Sequence, residues 1–454
     1  MSNKPKLTND QEYIYNNVLQ HLEEVLEGMD IFRENSWLSI KGYAGTGKTF
    51  LTKSIVQSIL NKNKSIVILT PTHQALDVSR EAIGISNSNL HFATLHSFMG
   101  LKPEYNKDGS VSFKRDRSTF NKNAKLEVDV AIIDESSMIT QELYTFIKEA
   151  MEGTEYKSRV KAVIFVGDSA QLMPVEEERI NKDYKHAIYD NDIINEYTLT
   201  EIIRNPDLEV IEFVNGVRNF IVDKGNKQDL FNYIEKEKQK EHNKIKFYNN
   251  KKDFVKSFIE KNRIKDTSGC IATFTNAKVN AYNKMLRDYF YRDKYKEETP
   301  EIFKDDLFVL QEGIVNKYGT TLAYNSQILD IKEYNLDDIR VGNAELECYV
   351  CTSSDKIKFK VLKKSSQEKW DKFLKDYSQK CMKNRDYWKK YYKYKNTFID
   401  YKYHYSYTIH KLQGSSFDDI WVDMTNLGYT DNETLLRLFY VACTRSKNNV
   451  HILI

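Results

Sequence analysis

At 454 residues, 41% hydrophobic and 29% charged, with 6 Pro and 17 Gly, the chain is long enough for three or four cored units and too apolar for extensive disorder. A net charge of +3 excludes binding to polyanions through global charge alone, so any such contact belongs to a local groove. The opening MSNKPKLTND lacks the apolar core of a secretory signal and no run of 18 apolar residues follows, which predicts a soluble cytoplasmic protein with no membrane partner.

Thr8-x-x-Gln11 has capping-box spacing and predicts the start of a helix through DQEYIYNNVLQHLEEVL. WLSIK then reads as a strand, followed by Gly42-x4-Gly47-Lys48-Thr49 at P-loop spacing and a helix with apolar residues at its period. In that geometry Gly42, Gly45, Thr46 and Gly47 turn backbone N–H groups toward phosphates at a helix N-terminus whose partial positive charge faces the anion. Lys48 neutralises the outer phosphates and the Thr49 hydroxyl ligates Mg²⁺, so ATP and Mg²⁺ are the expected ligands. A merely structural turn would not need the lysine.

Further along, TPTHQA and ATLHSF each follow a short apolar run, and EYNKDGSVSFKR sets Asp108-Gly109 between strand-like stretches, a hairpin signal. VDVAIIDESSM reads as a buried parallel strand ending in Asp134-Glu135. Ligands of open α/β sheets bind at such strand ends, which gives Asp134 to the Mg²⁺ shell and Glu135 to the attacking water. VKAVIFVGDSAQLMPV is a further buried strand, ending in Gly167, Asp168, Ser169 and Gln171.

From about Lys304 to Tyr403, short strands precede a switch to helical period, with stripes at Trp370, Phe373, Leu374, Tyr377 and Cys381 and then at Trp388, Tyr391 and Tyr392. Such stripes are usually core, and the Lys/Tyr-rich YWKKYYKYKN suits a solvated helix face as well as a nucleic-acid surface. Cys348-x-x-Cys351 lies in strand-like AELECYVCT, where residues three apart point to opposite faces, so no metal is assigned to it.

GYAGTGKT, DESSM and GDSAQLMPV resemble, in order, motifs I, II and III of superfamily 1 helicases. LTNDQ is similar to the adenine-reading Q motif, TPTHQA to motif Ia, ATLHSF to Ib, LTEIIRN to IV, FTNAKVNAYN to IVa, YTIHKLQGSSF to V and LFYVACTRSK to VI. The resemblance implies an α/β protein with two RecA-like P-loop NTPase domains, 1–195 and 196–303 with 404–454. It also implies a β-hairpin pin at 99–126 and an inserted small SH3-like β-barrel carrying a helical arm at 304–403, the layout of the 5′-to-3′ branch.

For the site, the resemblance implies that Gln171 contacts the terminal phosphate, that Arg204 and Arg445 are two arginine fingers, that Gln11 reads the base, and that Gly414 belongs to the nucleotide side of motif V. Thr72, His73, Thr94, His96, Asn276, Thr408 and His410 are implied along a nucleic-acid track, with Phe98 as a stacking platform. The activity implied is ATP-dependent 5′-to-3′ movement on single-stranded DNA and duplex unwinding, in replication, recombination or repair. Implied partners are single-stranded DNA, duplex junctions and single-strand-binding or replication proteins. The protein would act as a monomer, in the host cytoplasm if phage-encoded. A nucleotide-dependent binding switch that does not translocate, an RNA helicase and a helicase of opposite polarity stay open as alternatives.

Overall fold

The computed structural model describes residues 6–28, 37–106, 110–116, 128–152, 160–174, 186–189, 195–201, 208–316, 321–384, 386–425, 427 and 430–454. The chain forms two compact units, one of residues 1–101, 115–249 and 409–454, the other of residues 102–114 and 250–408. Among the described residues, no helix is long and apolar enough to cross a membrane.

The first unit is built on a six-stranded sheet in the spatial order 90–94, 66–70, 130–133, 162–167, 37–42, 195–199, every neighbouring pair parallel. Its central strands are continuous apolar runs because both faces are covered, as parallel sheets require. Helix Asn9–Leu26 contributes Ile14, Val18 and Leu22, one stripe at helical spacing, and helix Lys48–Asn61 contributes Ile55, Val56 and Ile59 to the same core. This order brings the carboxyl ends of 37–42, 162–167 and 130–133 side by side, so the P-loop, Asp168 and Asp134 emerge on one edge.

The same unit holds three parallel strands, Phe417–Asp423, Ser446–Leu453 and Ile245–Tyr248. Helix Asn432–Thr444 is buried without a break from Thr434 to Cys443, which explains its all-round apolar sequence LLRLFYVAC. Helix Leu208–Val222 packs on it through an edge-to-face Phe213–Phe439 contact.

In the second unit, strands Gly269–Thr273 and Ser406–Thr408 are parallel, and helix Asn276–Tyr295 is clamped to them by Asn283, whose amide exchanges two hydrogen bonds with Ser406. Strands Leu307–Leu310, Ile328–Asp330 and Tyr401–Tyr403 form one antiparallel set, and Glu333–Val341, Ala344–Thr352 and Lys358–Leu362 another. Arg287 of the helix meets Asp306 in a buried bidentate pair, 2.6 and 2.7 Å, fixing the helix to the start of the inserted strands. Cys351 faces the core of Phe308, Leu310 and Phe359, whereas Cys348 faces that of Leu346, Trp370 and Phe398, so the two thiols point to opposite sides of their strand.

Strands Leu101–Tyr105 and Val111–Arg115 pair as a two-stranded ribbon, closed by Asn106 N–H donating to Ser110 O at 2.8 Å. The expected Asp108-Gly109 tip lies outside the described residues. Helices Gln367–Lys383 and Tyr387–Lys395 follow the second antiparallel set, and Trp370 stacks on Phe373 within the first of them.

Candidate active site and nucleic-acid surfaces

The P-loop turns through left-handed Gly45 (φ 80°) and Gly47 (φ 73°), a conformation that favours glycine. A Cβ on Gly42 would fall 2.7 Å from Lys48 Cγ and 2.8 Å from Thr46 Oγ1, so only glycine lets the loop close on the lysine stem. Lys48 Nζ donates to Gly42 O at 2.6 Å and Tyr43 O at 3.0 Å. Gly47 caps helix Lys48–Asn61 without a side-chain bond, leaving the first-turn N–H groups directed at the loop mouth, with the Thr49 hydroxyl exposed beside them.

Gln11 is 1% exposed and spends its amide on the protein itself. Its Nε2 donates to Thr46 O at 3.1 Å and Gly47 O at 3.4 Å, and its Oε1 accepts from Thr8 N at 3.2 Å, completing the capping box. The same side chain therefore starts one helix and braces the P-loop from behind.

Asp134 accepts from Ser79 Oγ at 2.6 Å and from the Glu135 amide at 2.9 Å. Glu135 adopts φ 54°, ψ 41°, a left-handed conformation that costs a residue with a Cβ about 1–3 kcal/mol and is typical of functional positions. Its Oε2 is shielded from solvent and has no hydrogen-bond partner among the described residues. Burial raises the Glu135 carboxyl above its ordinary range, the Asp134 charge raises it further, and Arg445 and Lys48 pull it back. Both cations thus act on the carboxylate that was assigned to the attacking water.

Arg445 is 9% exposed, and its guanidinium is held by neutral oxygens, Thr444 Oγ1 at 3.2 Å and Ser415 O at 3.4 Å. Among the described residues no carboxylate pairs with it, which keeps its charge for another partner. Arg204 lies outside the described residues.

Gln171 carries another shielded oxygen, Oε1, with no hydrogen-bond partner among the described residues. The turn that presents it is fixed by Asp168, whose Oδ1 accepts from Ala170 N at 2.9 Å and whose Oδ2 accepts from Tyr440 OH at 2.7 Å. Tyr440 OH also accepts from the P-loop amide of Ala44 at 3.1 Å. Arg437, one helical turn away, donates to Ser169 O at 2.5 Å and Gln171 O at 3.0 Å and pairs with Glu433. Beside it His186 is held neutral, its pKa lowered to about 3 by burial and the Arg437 charge.

Gly167 has no room for a side chain: a Cβ would lie 2.1 Å from Tyr189 OH and 2.7 Å from Ser136 Oγ, which are themselves hydrogen-bonded. Arg218 stacks on the Tyr43 ring with its carbon 3.4 Å from the centroid, and a Cβ on Gly45 would touch Ile211. Tyr440, Arg437, Arg218 and Tyr189 were not legible as site residues. The first two sit inside an apolar helical run, and each of the four has a partner far away in sequence.

Two shielded oxygens without partners among the described residues, a glycine cradle around Lys48, and an exposed hydroxyl at the helix start suit a nucleoside triphosphate with its magnesium ion. Thr49 and Asp134 are the residues that would hold the metal.

Gly414, at φ 75°, lies against Ala75. Its neighbours Gln413 and Ser415 bond Leu172 O at 3.0 Å and Gln74 Nε2 at 2.6 Å. The stretch after the 3-10 turn Ile409–Leu412 is therefore stitched to the segment following Gln171 and to helix His73–Ile83.

Thr94 ends its strand opposite Thr70 of the neighbouring strand, and Thr72 lies two residues past Thr70. Each N-caps the helix that follows, accepting from Ala75 N at 3.2 Å and Ser97 N at 3.3 Å. His73 and His96 are half-buried and close enough to affect each other, and burial lowers both below the ordinary histidine range, so they are neutral donors or acceptors. Phe98 is half-buried at the end of its helix and His410 half-buried in its 3-10 turn.

The second unit repeats this local design. Thr70 Oγ1 donates to Thr72 O at 2.8 Å before Thr72 caps its helix, and Thr273 Oγ1 donates to Thr275 O at 3.3 Å before Thr275 caps helix Asn276–Tyr295. The sequences LTPTHQA and ATFTNAK thus build the same strand end twice, and Thr275 is the counterpart of Thr72. Asn276 is exposed beside it and accepts from Lys402 Nζ, and Thr408 ends the neighbouring strand opposite Thr273.

The family described as AAA domain matches residues 27–177, and the family described as UvrD-like helicase C-terminal domain matches 403–453. The chain is 23% identical to the ATP-dependent DNA helicase dda of Enterobacteria phage T4, covering 98% of both chains. It is 24% identical to the uncharacterized protein R530 of Acanthamoeba polyphaga mimivirus, over 91% of this chain and 94% of that one. In fold it is similar to a Pif1 helicase from Bacteroides solved with ADP-AlF3 and ssDNA, with a TM-score of 0.51 and 16% identity over 99% of this chain and 92% of that one.

Proposed function

We propose that this chain, a member of the Pif1- and UvrD-like superfamily 1 helicases, hydrolyses ATP to move 5′ to 3′ along single-stranded DNA and to unwind duplex. The observation that carries this reading is the glycine cradle around Lys48 on the sheet edge that also presents Asp134 and the buried Glu135, whose carboxyl the Arg445 and Lys48 charges pull back toward its ordinary range. Glu135, raised in pKa and backed by two cations, accepts a proton from the attacking water. Lys48 and Arg445 offset charge on the terminal phosphate oxygens as it develops. Magnesium, held by Thr49 and Asp134, would screen the same oxygens. Gln171 senses the terminal phosphate, and Tyr440 and Arg437 carry its position into helix Asn432–Thr444.

Arg204 is the second arginine of this reading, and Gln11 serves the base while bracing the P-loop. The two-lobe division, 1–195 against 196–303 with 404–454, belongs to the same proposal, as does action by a monomer in the cytoplasm, that of the host if the gene is carried by a phage. The ribbon 101–115 is the pin that splits the fork, and 304–403 is the SH3-like barrel with its arm.

Steady-state ATP hydrolysis with and without single-stranded DNA or RNA, followed by unwinding of duplexes with 5′ or 3′ tails, tests the whole reading. DNA-stimulated turnover with unwinding only of 5′-tailed duplex is expected. Nucleotide-dependent binding without unwinding would replace the motor by a switch.

A further inference from the structure

The positive charge of this chain is concentrated in its arm. Residues 367–396 carry ten Lys or Arg and four Asp or Glu, a net +6 in a chain of net +3, so the other 424 residues are net negative. We propose that the arm's lysine face holds the phosphate backbone of duplex DNA, an inference that rests on the DNA reading above.

The apolar stripe of helix Gln367–Lys383 is already used. Trp370, Phe373 and Leu374 pack with Val341, Leu346 and Phe398. Lys369, Lys372, Lys380 and Lys383 project beside that stripe within an arc of about 80° and along about 21 Å, given the helix's 1.5 Å rise. All four are exposed, and none forms an ion pair among the described residues. One carboxylate, Asp376, shares the face and leaves it net positive. Lys389, Lys390 and Lys393 add exposed cations on helix Tyr387–Lys395.

Two features favour duplex over single-stranded DNA. Gripping a single strand relies on free aromatic faces for base stacking. In the arm those rings are engaged with one another: Trp388 with Tyr391 and Tyr392, and Tyr377 with Tyr387 and Tyr394. The described cations of the arm are lysine ammonium groups, which suit phosphates rather than base edges. Duplex DNA presents one charge per about 1.7 Å of axis, so a 21 Å stripe meets about a dozen phosphates, and a modest lysine set finds partners in several registers.

The test is fluorescence anisotropy of a blunt-ended labelled duplex with the full chain, without nucleotide, from about 50 to 200 mM salt. The variant replaces Lys369, Lys372, Lys380 and Lys383 with Gln, which preserves helix propensity. A matched variant replaces the exposed Lys252, Lys256, Lys304 and Lys358. The expected result is a log–log salt slope shallower by about three to four in the arm variant, at about 0.9 per lost phosphate contact. Affinity at the lowest salt falls about tenfold or more, the matched variant keeps the parent slope, and single-strand-stimulated ATP hydrolysis is unchanged in both. An arm-variant slope within one unit of the parent, or an equal loss in the matched variant, overturns the proposal. Absence of single-strand-stimulated ATP hydrolysis in the parent would instead defeat the helicase reading, and the slopes would still decide whether the arm holds duplex.

Discussion

Tyr440 and Asp168, 272 residues apart, share a 2.7 Å hydrogen bond at the rear of the P-loop, where the tyrosine hydroxyl also takes the Ala44 amide. One phenol therefore links the loop that receives phosphate, the strand end that presents Gln171, and the helix that ends at Arg445. Tyr440→Phe removes that hydroxyl and leaves a buried carboxylate oxygen and a buried amide unpaired, a loss of about 1–3 kcal/mol. The variant is expected to melt at lower temperature and to lose ATP turnover about tenfold while its KM for ATP changes little. Unchanged turnover at saturating ATP and DNA would show that the link is dispensable to the chemistry.

Lys48→Ala and Glu135→Gln are expected to lower ATP turnover by about 10²–10⁴ and to abolish unwinding, the range for a lost catalytic acid–base or electrostatic group. Single-strand affinity without nucleotide should stay within about twofold, since neither side chain lies among Thr72, His73, Thr94 and His96. Rapid unwinding by either purified variant would remove these assignments.

Burial raises the Glu135 carboxyl above its ordinary 4.5, so the folded protein binds this proton more tightly than the unfolded chain does. That preference costs stability as pH rises from 4.5 through the raised value. Glu135→Gln removes the cost, so the variant should melt at higher temperature than the parent near pH 8 and at the same temperature near pH 4. Thermal melts across that range decide it, and a variant less stable than the parent at pH 8 would contradict the burial argument.

The paired strand ends predict paired phenotypes. Thr72→Val and Thr275→Val each lose a hydroxyl and a helix cap and should each weaken single-strand binding about fivefold, equivalent to about 1 kcal/mol, while Thr72→Ser and Thr275→Ser retain it. Filter binding of oligo-dT by the four variants checks this. A loss at Thr72 with none at Thr275 would mean that the repeated geometry serves folding in the second unit.

Much of the site was readable wherever a backbone shape demands a particular residue. Gly45 and Gly47 occupy left-handed conformations, and Gly42 leaves space only for the lysine stem, so their spacing in the chain reports the loop directly. The continuous apolar runs before Asp134 and Gly167 likewise signalled strands covered on both faces. Tyr440, Arg437 and His186 were hidden because their roles depend on contacts between residues about 250 or more positions apart, and because the helix carrying the first two is apolar all round. Thr275 escaped for a different reason. Asn276 entered through the resemblance of FTNAKVNAYN to motif IVa, and only the cap geometry reveals that the threonine before it caps its helix as Thr72 does. The double use of Gln11 was half-visible: the capping spacing announced one bond, and only the fold reveals the two that reach the P-loop.

We propose that Arg445, buried and without a carboxylate partner among the described residues, supplies charge to the phosphate cleaved in the Lys48–Glu135 pocket. Single-strand-stimulated turnover of Arg445→Ala, measured with its KM for ATP and its single-strand affinity, tests this most directly. A fall in kcat of about 10³ or more is expected, as for a lost arginine finger, with both affinities within a few fold of the parent. A variant that hydrolyses ATP at the parental rate would contradict it.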